Sequence, residues 1–234
     1  MAQPTPAHPS TLAAQLAAQL DTSPDTASTP APTQPIVSAD SPLPNPIITT
    51  PRLLIRAMHP QDAPSMAHHA GPASITQYMS LAFAHPYTLQ HAETWIALNL
   101  KDHLDNYTIC LPSNPSEPIG GIGVKPGSDV QSHTAEIGYW ISEEHQGKGL
   151  VSEALGALTE WVFGEGKLND GRKVRRLFAG VFGGNEASMR VLEKNGYRAE
   201  GVFKGHVEKH GVIRDMHWFG VTKDDWLEWK RSQS

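Results

Sequence analysis

The run Glu136-Ile137-Gly138-Tyr139-Trp140-Ile141, followed by His145-Gln146-Gly147-Lys148-Gly149-Leu150-Val151-Ser152-Glu153-Ala154, decides the fold. β-Branched and aromatic residues lead into a short glycine-bearing turn, and the turn leads into an amphipathic run. That order reads as strand, turn and helix start. Such a turn aims several backbone N–H groups, with the positive end of a helix dipole behind them, at one point, which suits a phosphate.

Outward from this point, strands and helices alternate. Val151, Leu155, Leu158 and Val162 share one face of a helix running to about Phe163. Upstream, strands are expected at 107–111 and 118–125, split by Pro112-Ser113-Asn114-Pro115. Thr88 reads as the N-cap of a helix to about Leu104, with Ala92, Trp95, Ile96 and Leu100 on its apolar face. Pro60-Gln61-Asp62 opens a helix to about Ala70, a second helical stretch covers Ala73 to Met79, and Arg52–Arg56 reads as the opening strand. Downstream come a loop at 164–173, a strand at Val174–Phe182 and a short helix capped by Asn185 and stopped by Gly196. A hairpin at about 197–206 and 212–221 and an amphipathic segment with Trp226 and Trp229 close the chain. This alternation predicts an α/β domain with a mixed sheet.

The 234 residues suffice for one ordinary domain plus a tail. Residues 1–46 hold 10 of the 19 prolines, no aromatic residue and only Asp21, Asp25 and Asp40 as charges. That composition cannot bury enough apolar surface to offset its ordering entropy, so a disordered tail is expected there and a folded domain over 47–234. Leu12, Leu16 and Leu20 recur at helical spacing within the tail, as in a marginal nascent helix. Elsewhere, 39% apolar residues and 6 Trp supply a core. A net charge of −5 argues against sequence-independent nucleic-acid binding. The single cysteine, Cys110, excludes an internal disulfide and reads as a small core residue in a reducing compartment. No apolar run approaches the roughly 18–20 residues of a membrane span. With no basic residue before Arg52 there is neither a secretory signal nor a presequence, so a cytoplasmic setting is expected, with the nucleus left open.

Four segments, in order, resemble the GNAT superfamily of acyl-CoA-dependent N-acyltransferases, and within it the branch of the RimJ/RimL ribosomal-protein and spermidine acetyltransferases. Thr49-Thr50-Pro51-Arg52-Leu53-Leu54-Ile55-Arg56 matches the opening strand. Ala135-Glu136-Ile137-Gly138-Tyr139-Trp140 with Gln146-Gly147-Lys148-Gly149 matches the central strand and the Q-x-x-G-x-G/A pyrophosphate loop. Asn185-Glu186-Ala187-Ser188 with Leu192-Glu193-Lys194-Asn195-Gly196-Tyr197 matches N-x-x-S…L-x-K-x-G-F, and Gly211-Val212-Ile213-Arg214-Asp215 matches the late hairpin. Two positions depart from the pattern: Val151 stands where the family prefers Gly or Ala, and Leu192 where many relatives carry the tyrosine that protonates the departing thiolate.

The resemblance implies a mostly antiparallel twisted sheet of about seven strands flanked by helices. It implies direct attack of a primary amine, on a small molecule or a protein N-terminus, on the thioester of acetyl-CoA, the acyl-donor substrate, with no metal. Tyr139, Trp140 and Ile141 would pair with pantetheine through their main chain. Gln146, Gly147, Lys148, Gly149, Leu150 and Val151 would hold the pyrophosphate, and Asn185 and Ser188 would lie beside the cofactor. Glu136 is the expected base, because a glutamate in an apolar strand is costly unless it serves or is paired. Ser188 is either the thiolate donor or a simple surface or capping serine, with Glu208 a second candidate base and Asp215 structural or lining the acceptor site. His206, Glu208 and His210 alternate, but an exposed hairpin face explains them better than a metal. The partners expected are acetyl-CoA and an amine acceptor, with neither nucleic acid nor membrane, in a monomer or homodimer. A non-catalytic acyl-CoA-binding module, or an interaction scaffold on the same fold, remains the alternative.

Overall fold

The computed structural model describes residues 37–164, 168, 171 and 173–233. The leucine repeat of the tail and part of the loop at 164–173 lie outside the described residues. Among the described residues, eight strands form one sheet. Five follow in chain order, each antiparallel to the last: β1 (Pro46–Thr49), β2 (Leu54–Ala57), β3 (Asn106–Leu111), β4 (Asn114–Pro126) and β5 (Thr134–Ile141). β6 (Arg176–Phe182) lies parallel to β5. β8 (Val212–Thr222) pairs antiparallel with β6, and β7 (Arg198–Lys209) with β8. A parallel pair needs a crossover connection, and α4 (Leu150–Phe163) supplies it.

The eighth strand comes from the opening of the domain. The expected strand at Arg52–Arg56 is the second arm of a hairpin. Its turn is closed by Thr50 N–H donating to the Leu53 carbonyl at 2.9 Å and Leu53 N–H donating to Thr50 Oγ1 at 3.0 Å. Proline-rich sequence hid β1. Pro46 is tolerated because β1 is the sheet edge, where no ladder partner needs its missing N–H. The expected helix from Pro60 is a 3-10 turn, Pro60–Asp62, followed by α1 (Ala63–Ala70). Asp62 in that turn forms a bidentate ion pair with Arg56 of β2, at 2.6 and 2.9 Å, with both side chains fully buried.

Alternation along β5 sends Ala135, Ile137, Tyr139 and Ile141 to one sheet face and Glu136, Gly138 and Trp140 to the other. The first face carries the main core. Ala135, Ile137 and Ile141 meet Leu155, Leu158 and Val162 of α4, Leu192 of α5 (Glu186–Glu193) and Trp226 of α6 (Lys223–Ser232). On the second face, α1 and α3 (Leu89–Asp102) build a smaller core from Met66, Ala70, Ala92 and Ile96, and Trp140 packs against it. The short α2 (Ala73–Thr76) connects these helices toward the late hairpin. After α5 the chain turns at Gly196, in the left-handed region at φ +84°, with Tyr197 N–H bonded to the Leu192 carbonyl at 3.1 Å.

Candidate active site

The sheet opens at its centre. β5 and β6 are in register over three pairs only, Thr134↔Arg176, Ala135↔Leu177 and Glu136↔Phe178. On its other side β5 stays paired with β4 as far as Ile141↔Gly120. From Ile137 to Ile141, therefore, β5 has a strand neighbour on one side alone among the described residues. Alternate backbone N–H and C=O groups on the open side face a gap where the pairing with β6 has ended. Such groups in mid-sheet are costly unless a ligand or water satisfies them. Gly138 borders this gap on the Glu136 face, and a Cβ built there would meet nothing within 4 Å. The strand edge and the open space beside it fit an extended, amide-bearing chain such as pantetheine.

At the end of β5 the glycine turn has the form its sequence implied. Gln146 is extended, Gly147 and Gly149 take φ +70° and +75°, and Gly149 is the N-cap of α4 with no side-chain cap. The first N–H groups of α4 therefore point outward without an intrahelical acceptor. Leu150 is buried, while Gln146, Gly147, Lys148 and Gly149 are exposed. The Lys148 side chain reaches solvent, and its carbonyl accepts from Arg52 Nη1 at 2.9 Å. Val151 does not crowd the turn, because its side chain packs against the main core. The Gln146 side chain bonds the Ile141 carbonyl at 3.4 Å and closes the end of the strand.

Sequence reasoning missed how the turn is held. Arg52, from the β1–β2 turn, also pairs with Glu153 in the first turn of α4 at 2.6 Å, and Thr50 Oγ1 donates to the same carboxylate at 2.6 Å. Burial raises the Glu153 carboxyl, but the hydrogen bonds from Thr50 and Arg52 outweigh it and hold the pKa below the ordinary value. The partners lie about a hundred residues apart in sequence, so no local pattern announces the contact. The sole hint was a charge beside the opening strand.

Across the gap, α5 brings its first turn to β5. Asn185 caps the helix, its Oδ1 accepting from Ser188 N–H at 3.2 Å. Ser188 Oγ lies 2.9 Å from the Tyr139 hydroxyl. Burial pushes the Tyr139 phenol up to about 12. Leu192, one turn further along, is fully buried in the core and presents no hydroxyl. Trp140 and Ile141 pack their side chains into the two cores and leave only main chain for a ligand.

Glu136 sits on the opposite face from Ser188. In register it is flanked by Lys125 of β4 and Phe178 of β6. Burial raises its pKa above the ordinary carboxylate value, and the Lys125 charge partly opposes the rise. Base and acid candidates thus lie on the two faces of the sheet, with the gap between them. The face of Glu136 continues over Phe178, Gly180 and Trp218 and is flanked by the segment after α2. Tyr78 donates to the Gly184 carbonyl at 2.9 Å, and Arg214 lies over the Tyr78 ring at 5.6 Å. The buried Lys209 ammonium, lowered in pKa by desolvation, bonds the Thr76 and Met79 carbonyls and fastens β7 to that segment. Asp215 accepts from Lys204 at 2.7 Å and from Gly205 N–H at 2.8 Å across the hairpin. Glu208 and His206 are exposed, His206 meets Phe203 edge to face, and His210 sits at the turn at φ +52°.

Comparison with known proteins agrees with this geometry. The family profile of the acetyltransferase (GNAT) domain matches residues 52–198. The uncharacterized N-acetyltransferase YnaD of Bacillus subtilis is 28% identical over 179 residues, which cover 76% of this chain and 98% of that protein. The probable N-acetyltransferase YjcK of the same organism is 38% identical over 92 residues, 39% of this chain and 48% of its own length. Among solved structures, RimL, a ribosomal L7/L12 alpha-N-protein acetyltransferase in complex with coenzyme A, superposes with a TM-score of 0.64. It is 20% identical, with coverage of 77% of this chain and 99% of its own. The split sheet, the uncapped glycine turn and the matched profile have one common explanation: the chain belongs to the GNAT family of acetyl-CoA-dependent N-acetyltransferases.

Proposed function

We propose that the domain over 47–234 acetylates a primary amine, on a small molecule or a protein N-terminus, by direct attack on acetyl-CoA in a ternary complex. The observation that carries this reading is the gap between β5 and β6, open over Ile137–Ile141 and leading into the uncapped start of α4. Backbone N–H groups of Gln146 to Val151 hold the pyrophosphate, and the Tyr139–Ile141 main chain pairs with pantetheine. The acceptor amine approaches on the Glu136 face. An alkyl ammonium has a pKa near ~10, so a base must take its proton. The raised pKa of Glu136 brings a carboxylate closer to that task. A β5 N–H at the gap receives the oxyanion as the tetrahedral species forms. Ser188 returns a proton to sulfur, in place of the tyrosine absent at Leu192. The single buried Cys110 suits a reducing, cytoplasmic setting.

Titration calorimetry with acetyl-CoA, followed by an amine screen scored by thiol release, tests this reading. Micromolar binding that is lost in Gly147→Val and Gly149→Val, with turnover of at least one amine, is the expected result. No binding at millimolar ligand overturns it. Because Leu192 lacks a hydroxyl, a second reading is a non-catalytic acyl-CoA-binding module. Tight binding with no turnover of any amine favours that second reading.

A further inference from the structure

We infer that the Tyr139 side chain is a positioning residue that aims the Ser188 hydroxyl at the leaving sulfur. The inference rests on the acetyl-transfer reading above. Tyr139 leaves β5 on the face covered by α4 and α5, and its hydroxyl lies 2.9 Å from Ser188 Oγ and 3.3 Å from the Ser188 carbonyl oxygen. This contact joins the open stretch of β5 to the first turn of α5. Ser188 is held a second time through its N–H by Asn185. Its backbone and its side chain are therefore both tethered.

A serine hydroxyl has one proton to give and two lone pairs to receive one. The phenol has one proton for two acceptors, and Ser188 Oγ at 2.9 Å is nearer than the Ser188 carbonyl at 3.3 Å. With that proton on Oγ, the proton of Ser188 stays free for sulfur and its second lone pair for an incoming proton. The phenol is suited to a fixed donor role, since burial keeps it protonated up to about 12. The neighbouring buried phenol, Tyr197, is engaged elsewhere, with Thr159 Oγ1 at 2.9 Å. In the step itself the amine nitrogen bonds to the thioester carbon. The carbon–sulfur bond then breaks, with its electron pair passing to sulfur. The protons of the nitrogen leave through Glu136 to solvent, while Ser188 gives its proton to sulfur and regains one from solvent. The products are an amide and a free thiol, and Tyr139 ends unchanged.

The test compares wild type, Tyr139→Phe, Ser188→Ala and the double variant, each checked for folding by thermal unfolding. The first readout needs no turnover. A hydroxyl that donates to sulfur favours thiolate over thiol. Wild-type affinity for CoA, referred to acetyl-CoA on the same protein, is expected to rise about fivefold between about pH 7 and about pH 9, around the ordinary thiol value. Tyr139→Phe and Ser188→Ala are expected to lose most of that rise equally. Acetyl-CoA affinity should stay within about twofold throughout. In turnover, Tyr139→Phe should lower kcat about tenfold with KM for acetyl-CoA unchanged, and in the Ser188→Ala background it should cost nothing further. A Tyr139→Phe protein that keeps the wild-type pH dependence of CoA affinity overturns the inference. So do kcat losses that multiply in the double variant. A wild type that acetylates no amine defeats the acetyl-transfer reading instead, and the CoA profile still decides the role of Tyr139.

Discussion

At the scale of single residues, the half-buried Glu136 and the fully buried Asp62 carry opposite consequences. Glu136 is raised by burial and only partly restrained by Lys125. A base works ionised, so kcat should fall as pH falls, with a midpoint above the ordinary carboxylate value. Removing the positive charge in Lys125→Met should move that midpoint further up. Glu136→Gln should lower kcat by about a hundredfold and flatten the acid limb, as a pH–rate series would record. Asp62 has a structural task. Its bidentate pair with Arg56 is fully buried, so Asp62→Asn leaves a guanidinium inside the protein without its counter-charge. The expected cost is about 3–5 kcal/mol, measured by denaturant unfolding. Glu136 was legible in the sequence because a carboxylate in an apolar strand contradicts its surroundings. The partnership of Arg56 with Asp62 was not, although six residues separate them, because both stood in segments read only for their secondary structure.

At the scale of elements, the strand ending at Ile141 and the helix ending at Phe163 follow the sequence pattern closely, since periodicity and turn chemistry agree there. The start of the domain was harder to read. β1 begins at Pro46 because an edge strand excuses proline, and β4 runs back to Asn114 through two prolines. Arg56 takes the Pro115 carbonyl that the interrupted strand presents. The glycine after α5 was read correctly as a turn, but its second constraint was invisible. A Cβ at Gly196 would lie 2.7 Å from the Trp229 ring of α6, in a backbone conformation that already disfavours side chains. Gly196→Ala should therefore destabilise by about 2 kcal/mol or more, and circular-dichroism melts would show the fall. The site divides in the same way. The loop glycines, Asn185 and Ser188 are local motifs. The grip of Arg52 on the loop and the tie of Lys209 to the segment after α2 join distant parts of the chain and exist only in the folded sheet.

At the scale of the molecule, the sheet is two blocks sharing three register pairs between β5 and β6. A ligand lying along the open part of that junction touches both blocks and binds only the folded chain. Acetyl-CoA at about a hundred times its Kd should add about 2.7 kcal/mol to stability, read as an upward shift in the melting temperature. Gly149→Val should abolish the shift without abolishing the fold.

The parallel pairing of β5 with β6 also bears on the order in which the strands can pair as the chain is made. Strands β1 to β5 can each find the preceding strand soon after emerging, apart from the helices inserted before β3. β6 cannot take its place until the whole of α4 has been made and folded back, and β7 must wait for β8 to be synthesised before it has a neighbour. Until β6 is in place, β5 has a strand neighbour on its β4 side alone, and the flank left bare includes the stretch that stays unpaired in the folded sheet. An unpaired strand edge is a template for pairing with another chain, so β6 also shields part of β5 from such contacts.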